Sequence, residues 1–165
     1  MANRTAWTAG NGVGFTWTTA INQADLVSLA SGSTVLSSVA DITNQTALDI
    51  YADISVRMTV TSATPPAGAY FGIYLAALLD DGATYGDGFL TSGGTITHAP
   101  PWAPVGSVPL ETAVAATNLS GFVQGIIIPP GSFRFAFYNG SGAALSSTST
   151  NCNVHYRTYN MNLNN

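Results

Sequence analysis

Between residues 48 and 60 the chain alternates without a break. Leu48, Ile50, Ala52, Ile54, Val56, Met58 and Val60 are apolar, and Asp49, Tyr51, Asp53, Ser55, Arg57 and Thr59 stand between them. A period of two belongs to a strand with one face on a core and the other toward water, and helical spacing cannot produce it. At about 3.3 Å per residue the run would extend roughly 40 Å. A bulge or bend is therefore expected within it. The even positions are the predicted core face and the odd positions the wet one.

A second strong signal surrounds Pro129-Pro130-Gly131. Residues 122–128 precede it as a β-rich run; Phe133, Phe135 and Phe137 follow, alternating with Arg134, Ala136 and Tyr138. Fixed φ followed by a permissive glycine is turn chemistry, so the two runs are predicted to pair as an antiparallel hairpin. Further strands are expected at 33–39, 70–79, 105–110 and 153–159, with weaker ones at 14–18, 95–98 and 143–147. The one expected helix spans 22–30, capped by Asn22 and closed by Ser31-Gly32. About eight strands without helical crossovers predict an all-β fold, a single antiparallel β-sandwich that is jelly-roll-like, with one short helix.

Residues 1–20 have no sustained period and carry Trp7, Phe15 and Trp17 among Gly, Thr and Asn. They are expected to form an extended N-terminal arm, docked on a neighbour or on the edge of its own sandwich, with residues 21–165 as the sandwich domain. Residues 80–104 form a long Gly/Pro-rich stretch with Tyr85, Phe89 and Trp102, and a loop of this length is usually functional. Contact is the expected function.

Composition sharpens this picture. Only 7% of the 165 residues are charged, against about a quarter in an ordinary soluble domain. Lysine is absent. The surface must then be built from Ser, Thr, Asn, Gly, Ala and exposed aliphatics, which cost little to desolvate when another chain covers them. The net charge of −4 and the scattered arginines (Arg4, Arg57, Arg134, Arg157) exclude a phosphate-neutralising stripe, so no nucleic acid is expected as a partner. No window approaches 18 continuous apolar residues, so no membrane span is expected. A single cysteine, Cys152, fits folding in a reducing cytosol without disulfides, and reads as a small strand residue.

The material for catalysis is thin. No Gly-x-Ser-x-Gly elbow accompanies His98 and His155, and Glu111 is the only glutamate. Asp80, Asp81 and Asp87 sit beside glycines at spacings that do not match a calcium loop, and turn residues are the plainer reading. No enzyme, metal site or cofactor is expected. Trp7, Trp17 and Trp102 allow a sugar-stacking reading, but aromatics are also enriched at protein interfaces.

Several segments in order complete the reading. Leu48-Asp49-Ile50-Tyr51-Ala52-Asp53, Pro129-Pro130-Gly131-Ser132-Phe133, Asn139-Gly140-Ser141-Gly142-Ala143-Ala144-Leu145 and Tyr156-Arg157-Thr158-Tyr159-Asn160 together resemble a family of small structural proteins of tailed bacteriophages. The resemblance covers roughly residues 22–160. It implies a head decoration (cement) protein on the capsid surface of the virion, made in the host cytoplasm and bound to major capsid protein. A homodimer or homotrimer is implied as well. Expected contact residues are Trp7, Phe15, Trp17, Phe89, Trp102, Tyr159, Asn160 and Met161. A tail or baseplate part and a carbohydrate-binding sandwich are the alternatives.

Overall fold

The computed structural model describes residues 4–9, 15–61, 64–79, 82, 84–85, 93–101, 103–111 and 118–164. In chain order these form β1 (Arg4–Ala9), β2 (Thr18–Ile21), the helix α1 (Gln23–Leu26), β3 (Thr34–Leu36), β4 (Ile42–Asn44) and β5 (Tyr51–Thr59). There follow β6 (Tyr70–Ala77), β7 (Thr95–Ile96), β8 (Gly106–Pro109), β9 (Asn118–Ile127), β10 (Gly131–Gly140) and β11 (Asn153–Asn164). Two antiparallel sheets result. One has the order β1-β11-β5-β9, with β2 also on β11; the other runs β7-β3-β10-β6-β8, with β4 also on β10. We call them the first and second sheets. The chain is an all-β sandwich, with one short α-helix and one 3-10 turn, Ser149–Asn151, among the described residues.

The even positions of the alternating run face inward as predicted: Ala52, Ile54, Val56, Met58 and Val60 are all buried. They meet Phe71, Ile73, Phe133, Phe135 and Phe137 from the second sheet in one core. Burying each of these large side chains contributes about 1.5–3 kcal/mol relative to leaving it in water. Along one edge the sheets approach very closely. A Cβ on Gly121 of β9 would lie 2.1 Å from Val108 of β8, so only glycine fits there.

Four expectations are corrected. Leu48 and Ile50 continue the alternation but are exposed, and the strand begins only at Tyr51. Leu48 takes φ 48°, and the amides of Asp49 and Ile50 bond the side chains of Asn44 and Asn160 instead of a ladder. The helix is a single turn. Asn22 does cap it, accepting from the Ala24 amide, but Ser28 at φ 54° turns the chain out of helical conformation. Residues 143–147 contribute one bridge, Leu145 to Val60, and no strand.

The fourth correction is topological. Pro129-Pro130-Gly131 does not close a hairpin, because β9 pairs with β5 in the first sheet and β10 pairs with β3, β4 and β6 in the second. Two consecutive prolines have no N–H for a ladder. Three extended residues at about 3 Å each span the roughly 10 Å between packed sheets. The Asn44 amide secures this crossing by donating to the Pro129 carbonyl at 3.0 Å.

Candidate functional site

Register places the site. On β11, the outward positions opposite β5 are His155, Arg157 and Tyr159, facing Ser55, Asp53 and Tyr51. On the other side of β11, β1 ends with Ala9 opposite Tyr159 and β2 begins with Thr18 opposite Tyr156. Eight residues of sequence thus separate two positions whose partners on β11 are only three apart. Phe15 and Trp17 lie against Arg157 on the outer face of the first sheet.

Asp53 lies on the face predicted to be wet, yet its side chain is only 5% exposed. Its Oδ2 accepts from Arg157 Nε at 3.0 Å and Nη2 at 2.8 Å. Its Oδ1 accepts from the Tyr159 hydroxyl at 2.9 Å and the Gly125 amide at 3.0 Å. Four donors on two oxygens fill the carboxylate's acceptor sites, and Arg157 neutralises its charge. The Gly125 amide is available because the β5–β9 register slips between Ala52 and Ile54, with Gly125 at φ 67°. This is the expected irregularity, and it aims a backbone donor at the buried carboxylate. Burial and then the hydrogen bond to Asp53 raise the Tyr159 phenol above its ordinary pKa.

The guanidinium is held from above as well. Its carbon lies 4.8 Å from the Trp17 ring centroid, 5.7 Å from Phe15 and 5.9 Å from Phe122. Trp17 meets Phe122 edge-on at 5.6 Å, and Tyr51 stacks on Tyr159 at 5.7 Å. Between these groups opens a cavity of about 530 Å³ lined by Phe15, Asp53, Gln124, Gly125, Arg157 and Tyr159. Phe15 at 46% and Trp17 at 38% exposure stand at its side.

A second trio occupies the outer face of the other sheet. Asp41 Oδ1 accepts from Arg134 Nε at 2.6 Å and from the Tyr85 hydroxyl, while Arg134 Nη1 donates to the Ser37 carbonyl at 2.9 Å. The guanidinium lies 5.0 Å from the Tyr85 ring centroid. Tyr85 comes from the long stretch at 80–104, and packs in a satellite cluster with Leu36, Tyr74, Ala76 and Ala136. Burial and its bond to Asp41 push the Tyr85 phenol up to about 12. Burial alone would raise the Asp41 carboxyl, but the Tyr85 and Arg134 hydrogen bonds with the guanidinium charge outweigh it and hold the group below 3.8.

Of the residues singled out from sequence, Phe15, Trp17 and Tyr159 gather on the first sheet. Asn160 and Met161 continue β11 at one end of that sheet, where the Asn160 amide donates to Asp49. Trp7 lies on β1 opposite Met161. Phe89 and Trp102, and the three aspartates weighed for calcium, lie outside the described residues. Sequence reasoning missed Asp53, Arg157, Gln124, Gly125 and Phe122. The available signal was Tyr51-x-Asp53 on one strand and Arg157-x-Tyr159 on another, complementary pairs each confined to one face.

Comparison with protein-family models, curated proteins and solved structures gives no match in any of the three.

Proposed function

We propose that this chain is a structural subunit of a tailed-bacteriophage virion. In this reading it is a capsid decoration protein that binds the outside of the major capsid protein shell as a homodimer or homotrimer. The jelly-roll variety of sandwich belongs to the same reading. The observation that carries it is an apolar end on the first sheet. Ile127, 72% exposed, pairs with Tyr51 beside Ile50, and Met161 follows Asn160, which binds the Ile50 amide. Isolated exposed aliphatics are ordinary, but several at one end of a sheet mark a contact surface.

Charge use supports the reading. Four of the described charged side chains are consumed in two internal ion pairs, and Asp49 is buried. Among the described side chains this leaves Asp25, Arg57 and Glu111 as the charges outside those pairs, so much of the described surface is cheap to cover. Mild acidity suits the outside of a shell, since packaged DNA would repel it within. Binding the intact shell and not the broken one would stabilise it by mass action, and an oligomer would add avidity.

Cosedimentation with heads of the phage that encodes the chain tests this. Wild type is expected to pellet with heads, and Ile127→Glu, a change at an exposed position, to stay in solution while melting normally. A wild-type chain indifferent to heads overturns the function. An Ile127→Glu chain that binds as tightly as wild type overturns the assignment of the surface.

A further inference from the structure

We infer that the cavity over Asp53 and Arg157 is a binding site for one neutral sugar ring of a glycan. This does not rest on the capsid reading, because the apolar end lies outside the cavity's lining residues. A volume of about 530 Å³ falls within the ~300–1,000 Å³ typical of small-ligand sites. Its walls and floor narrow the chemistry.

The floor is polar without net charge. The single lining carboxylate is neutralised by Arg157 and has its acceptor sites filled by Arg157, Tyr159 and Gly125. A cationic ligand therefore finds no free carboxylate. The site that aromatic rings make for a cation, among Trp17, Phe15 and Phe122, already holds the chain's own guanidinium. An anionic ligand fares no better, because Arg157 is already paired and the chain as a whole carries −4. Charge selects against both ions.

The remaining groups suit a polyol. Arg157 Nη1 and the Gln124 amide make no hydrogen bond among the described residues, and both belong to the lining. Together they offer donors on both groups and an acceptor on Gln124, the mixed set that hydroxyl groups require. Phe15 and Tyr159 stand 6.5 Å apart with their planes 59° from parallel, giving tilted aromatic walls. The negative face of such a ring attracts the outward C–H groups of a pyranose. A ring that is apolar on one face and hydroxylated at its rim satisfies wall and floor together. A lone saturated carboxylate also separates this site from glycosidase chemistry, which needs two working carboxyl groups.

The test uses the full-length chain on an array of neutral and acidic glycans, with saturation-transfer NMR against neutral methyl glycosides. Neutral glycans are expected to bind, with protons of one ring receiving the transfer. Phe15→Ala and Gln124→Ala should each weaken binding about tenfold, and Gln124→Ala, at an exposed position, should leave the melting curve and head binding unchanged. The inference is overturned if no neutral glycan binds, if only acidic glycans or polypeptides bind, or if both variants bind as wild type does. Loss of head binding in Ile127→Glu with glycan binding intact separates the two proposals.

Discussion

The outer faces of the two sheets carry the same three side chains, closed in different ways. On the second sheet, Tyr85 arrives from the long 80–104 stretch and lies over Arg134 and Asp41, so that face becomes a small second core. On the first sheet, Tyr159 comes from the same strand as Arg157, and the cover comes from Phe15 and Trp17, which leave a cavity. The deeper carboxylate belongs to the more open face: Asp53 is 5% exposed and Asp41 30%. Asp53 is buried by donors in its own sheet, whereas Asp41 is covered by a loop. A covered face and an open one can thus rest on identical chemistry, and what differs is which segment supplies the lid.

The sharpest break of this comparison is a matched pair of substitutions. Asp53→Asn leaves a guanidinium, a phenol and an amide beside a poorer acceptor, and should cost about 3 kcal/mol. Asp41→Asn, at a partly wetted pair, should cost about 1 kcal/mol. Urea denaturation reads both, and the reverse order would show that the loop, not the in-sheet donors, makes the stronger lock.

Alkali should distinguish the faces next. Tyr85 and Tyr74, both on the second sheet, hold their protons up to about pH 12 when folded, against an ordinary 10.0. Burial is the first cause for both, followed by Asp41 for Tyr85 and Tyr70 for Tyr74. A folded pKa above the unfolded one means stability that is intact below pH 10 and lost as pH rises through 12. Absorbance at the tyrosinate band, followed with melting temperature, should show the second-sheet phenols ionising together with unfolding. Ionisation of both near pH 10 with the fold intact would contradict the closure of that face.

The smallest effect is expected at the lid of the open face. Trp17→Ala removes one of three rings around Arg157 and should cost about 1 kcal/mol, since the ring is partly in water. A loss as large as that of Asp53→Asn would mean that the aromatics hold the ion pair together.

How much of this was legible follows from what a local pattern can say. Alternation at 52–60 fixed which face is inward, and Asn22 announced a helix start, because both signals are confined to a few neighbouring residues. Alternation could not show that Asp53 is buried, since a strand's period separates faces without saying what lies over them. The partners of Asp53 come from positions 125, 157 and 159, brought in by two different strands. Pro129-Pro130-Gly131 was misread for a related reason. Residues without an N–H suit a tight turn and a crossing between sheets alike, and only the pairing of β9 with β5 decides between them. Phe15, Trp17, Tyr159, Asn160 and Met161 were singled out as sticky residues, but the cavity that Phe15 and Tyr159 line also takes Asp53 from β5 and Gln124 from β9, which no local pattern connects.

The spacing of β1 and β2 along β11 has a consequence for how such a chain can change. Eight residues separate Ala9 from Thr18 in sequence, while their partners on β11, Tyr159 and Tyr156, are three positions apart. Insertions or deletions there would move Phe15 and Trp17 like a hem taken up or let down, without disturbing the pleats on either side. The carboxylate, guanidinium and phenol beneath would keep their places. Related chains could therefore reshape the cavity beside Phe15 by editing this border alone, with the weave of the sandwich untouched.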